Sequence, residues 1–225
     1  DKSDWKEYLE ENDIKVIDSK QQETSTIISF PDVKDIKKKS VSMEDKKMAE
    51  DKKIQLFISH SSKDIEYIDC FVKFLEELGF DDENMFCSSV DGYNIPWGAD
   101  IYEYLEKKFT NSNNELFVLF MLSDNYYASP ACLNEMGAAW VLKKDYRSIL
   151  LPGFQFEEIE GTIDPRKVAI RLDDKNLMMK LNDVKKQLSE LFGLVGIKET
   201  KWDKIRDTLI KKIKEIKEIN EKAKN

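Results

Sequence analysis

At 225 residues the chain is long enough for one domain with a sizeable core plus extensions. Its 36 Lys and Arg are interleaved among 44 Asp and Glu for a formal net charge of -8, which leaves no broad cationic footprint for a nucleic-acid backbone. The longest apolar run, Leu116 to Leu122, is far short of the ~20 residues that a membrane span requires, and no signal peptide is read ahead of the fold.

Cys70, Cys87 and Cys132 are widely spaced and sit inside apolar segments, which points to reduced thiols and a cytoplasmic home rather than a disulfide framework. His60 is the single histidine and no C-x-x-C pair occurs, so the expected metal complement is none.

Residues 1–52 mix a short amphipathic stretch (Trp5, Tyr8, Leu9), a candidate strand around Thr26–Phe30, and a Lys/Asp/Glu-rich run ending at Lys53 that reads as a linker or helical spacer. The first residue is Asp1 rather than Met, so an upstream part is expected to be missing.

From Ile54 the pattern becomes regular. Ile54–Ser59 is a β-prone, mostly apolar run, as a strand buried on both faces would be. Ile65, Ile68, Phe71, Val72, Leu75 and Leu78 then recur at three- and four-residue spacing before Gly79, which predicts a helix with a glycine stop. A strand at Met85–Ser88, a Gly/Pro-containing loop from Ser89 to Gly98 and a helix over Ala99–Lys108 follow.

Glu115–Ser123 reads as the central strand, and a helix is expected over Pro130–Lys144. Ser148–Gly153 and Val168–Leu172 supply two further strands, so strands alternate with helices and imply a parallel sheet wrapped by helices. The tail from Thr200 to Lys224 sets Trp202, Ile205, Leu209, Ile213, Ile216 and Ile219 on one stripe, suited to packing on the domain or on a partner helix. The expected boundaries are an N-terminal extension over 1–52, a domain over 53–175 and a C-terminal helical extension over 176–225.

In open parallel sheets the ligand crevice lies beyond the carboxyl ends of the strands. Three loops at such positions carry polar residues. Ser59–Asp64 offers hydroxyls and backbone amides suited to a phosphate or ribose, or else an ordinary helix cap by Ser62 or Asp64. Ser89–Gly98, with its glycines, Pro96, Tyr93 and Trp97, suits a lid or a protein-contact loop. In Ser129–Glu135, Ser129 suits the N-cap and Pro130 the first helical position, which places Glu135 in the second turn. Capping does not explain Glu135, because a capping-box glutamate would stand at position 132. Its helical neighbours Ala131, Cys132, Ala138 and Ala139 offer no cation, so the choice lies between a solvated side chain and a ligand group.

Phe57-Ile58-Ser59-His60-Ser61-Ser62-Lys63-Asp64 resembles the first box of TIR (Toll/interleukin-1 receptor) domains, and Ser129 to Glu135 resembles their Ser-x-x-Cys-x-x-Glu motif. The likeness covers about Lys53 to Pro152, extending toward Leu172, and the Ser89–Gly98 segment is similar to the family's BB loop. It implies an α/β fold, a flavodoxin-like open parallel sheet of about five strands flanked by helices, with helical N- and C-terminal extensions.

The resemblance further implies NAD+ as substrate rather than cofactor, with Glu135 as the catalytic carboxylate of the family's NAD-cleaving branch. Ser59, His60 and Ser129 are then expected to contact the nucleotide, and Tyr93 or Trp97 to stack on an aromatic ring. The style is similar to bacterial members, many of which serve anti-phage defence. The expected partners are further TIR domains in an oligomer and a defence effector or sensor. Two departures are Ala131, where plant-type members often carry an aromatic residue, and His60, where they often carry Arg. Two other readings stand beside the enzyme: an adaptor acting through the Ser89–Gly98 loop and the terminal helices, and a nucleoside deoxyribosyltransferase-like fold, which also sets a glutamate near a ribose.

Overall fold

A computed structural model of the chain describes residues 53–90, 92–93, 98–99, 101–110, 114–164, 167 and 169–223. The amphipathic stretch and the strand expected before residue 53, and Trp97 in the long loop, lie outside the described residues.

The strands are β1 (Lys53–Ser59), β2 (Met85–Phe86), β3 (Asn114–Leu122), β4 (Asp145–Leu150) and β5 (Ile170–Arg171). They form one five-stranded sheet in the order β2-β1-β3-β4-β5, with every pairing parallel. The helices are α1 (Ile65–Leu78), α2 (Ile101–Thr110), α3 (Asp124–Tyr127), α4 (Pro130–Val141), α5 (Leu177–Phe192) and α6 (Glu199–Ala223). The flavodoxin-like α/β architecture expected from the sequence is therefore present.

Successive residues of a strand point to opposite faces, and the two faces carry separate apolar clusters. Leu56 and Ile58 of β1 and Phe117, Leu119 and Met121 of β3 meet α1, α5 and α6 on one side. Phe57 of β1 and Leu116, Val118, Phe120 and Leu122 of β3 meet α2, α3 and α4 on the other. Coverage on both faces is why Leu116 to Leu122 reads as an unbroken apolar run: all seven positions are buried.

The helix expected after β1 spans the predicted residues and stops at Gly79, whose φ of 109° suits a residue without Cβ and whose N–H bonds to the carbonyl of Glu76. Elsewhere the bounds move. The helix α4 ends at Val141 rather than Lys144, because Lys143 turns the chain through a left-handed φ of 51°. The strand β4 begins three residues before the apolar run that announced it, since Asp145 and Arg147 alternate with buried Tyr146 and dilute the hydrophobic signal. It stops at Leu150, ahead of a turn through Pro152 and Gly153. The last strand is only Ile170–Arg171; Val168 lies outside the described residues.

The two C-terminal helices belong to the core. Leu177, Leu181 and Leu188 of α5 and Trp202, Ile205, Leu209 and Ile213 of α6 are buried with the β1 and β3 side chains. Trp202 is 2% exposed, lies 6.0 Å ring to ring from Phe74 of α1, and donates its indole N–H to Asn182 of α5 at 2.8 Å. Among the described residues no helix is long and apolar enough to cross a membrane.

Replacing Trp202 by Ala removes a large aromatic from a closed site and takes the indole donor from Asn182, leaving its amide oxygen only the longer bond from Arg206 at 3.4 Å. The expected loss is about 3–5 kcal/mol of unfolding free energy, read from urea titration. A loss below about 1 kcal/mol would mean that α6 is dispensable to the core.

Candidate active site at the carboxyl edge of the sheet

The strand order reverses at β1 and β3, and in doubly wound sheets the crevice opens at that switch point beyond the carboxyl ends. β1 ends at Ser59 opposite Phe120 of β3, so the loops that follow the two strands leave the sheet side by side.

The loop after β1 is held from both flanks. Ser61 caps the 3-10 turn Ser62–Asp64 by accepting from the Lys63 N–H, whereas Asp64 stands at the start of α1 without a side-chain capping bond. The Asp64 carboxylate instead accepts from the Ser123 hydroxyl at 2.5 Å and from the Asn125 amide at 2.7 Å. The expected cap by Ser62 or Asp64 is thus replaced by one from Ser61, and Asp64 ties the β1 loop to the β3 loop. Long-range charge-assisted bonds of this kind outweigh a local cap when both partners are withdrawn from water.

His60 is 6% exposed. Its Nδ1–H donates to the Ile58 carbonyl at 3.1 Å, which leaves Nε2 as the lone-pair nitrogen. Burial, the dominant influence, pushes its pKa below the usual 6.5 despite the opposing effects of the Ile58 bond and Asp64, so the ring is neutral at pH 7. Nε2 is buried and has no hydrogen-bond partner among the described residues.

Ser129 and Pro130 start α4 as their types predict: Ser129 accepts from the Cys132 N–H at 3.4 Å and Pro130 occupies the first turn. One turn on, the Cys132 thiol donates to the His60 carbonyl at 3.3 Å and fastens α4 over the β1 loop. Burial pushes this thiol up to about 11, so it remains a donor and not a nucleophile at neutral pH.

These restraints seat Glu135, half-buried, so that its Oε2 accepts from the Ser59 hydroxyl at 2.6 Å. Burial raises the carboxyl from its usual 4.5 to about 7, with the Ser59 bond pulling in the opposite direction. No Lys or Arg among the described residues forms an ion pair with it. A desolvated carboxylate facing the carboxyl edge of a sheet can stabilise developing positive charge more strongly than one in water.

Tyr126 escaped the sequence reading. It is fully buried and its hydroxyl lies 3.0 Å from Ser59 Oγ and 3.0 Å from the carbonyl of Cys132, to which it donates. The available signal was Ser123, which directly follows the apolar run of β3 and caps the short helix α3 by accepting from the Tyr126 N–H at 3.0 Å.

The structure therefore brings Ser59, His60, Ser129 and Glu135 together around the start of α4. Tyr93 sits elsewhere: its side chain packs against the cluster on the α1 side of the sheet and hydrogen-bonds Glu76. Volume does not locate the site either. Depressions of about 680, 900 and 600 Å3 lie between α1 and α6, beside α5, and at the end of α4. None of the three is lined by Glu135, so the candidate site is defined by its converging polar groups and not by these grooves with mixed charged rims.

A family model described as a TIR domain matches residues 56–177, a span that takes in Ser59, His60, Ser129 and Glu135. An uncharacterized protein, YddK of Bacillus subtilis (strain 168), is 34% identical over 209 residues, covering 93% of this chain and 69% of that protein.

A carboxyl raised from 4.5 to about 7 in the fold binds more protons folded than unfolded, so its contribution to stability falls as pH rises through that window. Well above pH 7 the ionised group costs on the order of 3 kcal/mol. Glu135→Gln, which keeps the Ser59 partner without the charge, is expected to melt several degrees above wild type at pH 8 and to lose that advantage at pH 4. An advantage equal at both pH values would show that desolvation of the carboxylate is not its source.

Proposed function

The chain belongs to the TIR domain family, and from that premise we propose that it is an NAD+ nucleosidase whose working carboxylate is Glu135. The observation that carries this reading is the Glu135 side chain itself, held by Ser59 at 2.6 Å at the sheet's switch point and desolvated enough to titrate at about 7.

The chemistry asks for little more. Breaking the bond between nicotinamide and ribose leaves an oxocarbenium-like sugar, and nicotinamide departs neutral, so no acid is needed to protonate it. A fixed carboxylate beside the sugar stabilises the developing charge and can accept a ribose hydroxyl hydrogen bond. Ser59 holds one oxygen of Glu135 and leaves the other for substrate. The neutral His60, with its Nε2 lone pair unpartnered among the described residues, suits a second hydroxyl donor. Ser129 would contact the nucleotide from the start of α4.

The product, linear ADP-ribose or a cyclic or conjugated form, follows from the nucleophile that the closed site admits: water, an adenine ring atom or another acceptor. We place the protein in the cytoplasm, in bacterial anti-phage defence, acting as an oligomer through TIR–TIR contacts with a defence effector or sensor.

A second reading, a non-catalytic adaptor that binds further copies of itself, draws on one feature. Leu133, Trp140 and Val141 of α4 are 41%, 61% and 66% exposed, more apolar surface than a helix facing only water usually carries.

The deciding experiment is nicotinamide release from NAD+ by concentrated protein, with products resolved by mass. Wild type is expected to turn over, and Glu135→Gln and Glu135→Ala to lose about 10²–10³-fold or more, the scale of removing one preorganised electrostatic group. Because the ionised carboxylate is the working form, the rate should rise with pH through about 7 and then level. Turnover retained by Glu135→Ala would sink the proposal, and self-association without turnover in wild type would favour the adaptor.

A further inference from the structure

Three polar contacts run in series beneath α4: Glu135 Oε2 to Ser59 Oγ at 2.6 Å, Ser59 Oγ to the Tyr126 hydroxyl at 3.0 Å, and the Tyr126 hydroxyl to the Cys132 carbonyl at 3.0 Å. Hydrogens can be counted along this chain. A carbonyl only accepts, and a serine or tyrosine hydroxyl carries one hydrogen each.

With Glu135 ionised, two hydrogens must serve three contacts. Ser59 donates to the carboxylate, and Tyr126 donates either to Ser59 or to the Cys132 carbonyl, so one contact lacks a hydrogen. With Glu135 protonated there are three hydrogens for three contacts. Glu135 donates to Ser59, Ser59 to Tyr126, and Tyr126 to the carbonyl, each donor pointing the same way. Ser59 and Tyr126 are both fully buried, so water does not make good the missing bond, and an unmade buried bond is costly.

We infer that Tyr126 is a positioning residue that acts through Ser59 to stabilise the protonated form of Glu135, so that the three side chains take up and release one proton as a unit. When the proton leaves Glu135 for solvent, the Ser59 hydroxyl reverses and donates to the carboxylate. The other titratable groups around this unit, among the described residues, are Cys132 on α4, Tyr127 beside Tyr126 on α3, His60 and Asp64 after β1, and Cys87 after β2. His60 is neutral and both thiols are held protonated by burial. Asp64 is engaged by Ser123 and Asn125. None of them is a cation that would favour the ionised carboxyl.

The inference deepens the reading of Glu135 as the working carboxylate, but its test needs no substrate. Protein carrying 13C-carboxyl glutamate is titrated by NMR, with the Glu135 resonance assigned by its absence from Glu135→Gln. Removing the phenol oxygen costs the protonated form two bonds and the ionised form one, so Tyr126→Phe is expected to lower the midpoint by roughly 0.5–1 pH unit. Ser59→Ala takes the charge-assisted donor from the carboxylate and is expected to raise the midpoint. Adding Tyr126→Phe to Ser59→Ala should then change nothing, because the tyrosine acts through the serine.

A midpoint unmoved or raised by Tyr126→Phe overturns the inference. So does a fall of the same size in the Ser59→Ala background, which would report water entering a loosened site. If Tyr126→Phe does not fold, the 13Cζ signal of Tyr126 in wild type decides. An inflection at the Glu135 midpoint that vanishes in Ser59→Ala supports the coupling, and a flat signal refutes it. In an active protein the acid limb of the rate profile should move down by the same amount in Tyr126→Phe. Absence of NAD+ turnover would count against the proposed activity and leave the titration result standing.

Discussion

The parallel pairing of β1 with β3 is the constraint from which the site follows. Its register runs from Lys53 opposite Asn114 to Ser59 opposite Phe120, so both strands end at one edge of the sheet. Right-handed crossovers then place the following helices over the two faces and leave the loops at that edge free to meet. Asp64 reaches Ser123 and Asn125 across this gap, and Cys132 reaches the His60 carbonyl. Slipping the pair by one residue would turn Ser59 to the opposite face and break the bond to Glu135, so the apolar alternation of both strands fixes the candidate site as well as the core.

The same packing that fixes Glu135 makes it costly to ionise. The half-buried carboxylate accepts from Ser59 and is partly withdrawn from bulk water. The fold meets that cost from its apolar clusters, including the α5 and α6 side chains that lie on the far face of the sheet from Glu135. Under the proposed role of Glu135, stability and electrostatic readiness are thus opposed at this residue. His60 shows the complementary case: burial keeps it neutral, and the Ile58 carbonyl selects which nitrogen carries the proton.

Much of the architecture was legible in the chain. The apolar run of β3, the three- and four-residue spacing of α1 with its glycine stop, and the Ser129-Pro130 start of α4 are local signals, each set by residues within a turn or two of one another. Local signals also showed that neither capping nor an intrahelical ion pair accounts for Glu135, and the resemblance of Ser129 to Glu135 to the TIR motif singled it out. The start of β4 was obscured because charged residues alternate with Tyr146, and β5 is too short for alternation to register. Tyr93 was assigned by its loop, yet its side chain turned to the α1 side, where an apolar cluster and Glu76 hold it.

The sequence by itself determined the order of strands and helices, the placement of Glu135 in the second turn of its helix, and the local cap that orients that turn. These depend on periodicity and on side chain to backbone bonds a few residues long. Only the tertiary structure decided that Tyr126 stands behind Ser59, that Asp64 serves the β3 loop rather than its own helix, and that α5 and α6 complete the core. The Ser59 bonds to Tyr126 and Glu135 join residues 67 and 76 positions apart. No periodic pattern carries a contact of that range; it exists because burial on both faces of the sheet forces one pairing register and closes the loops over one edge.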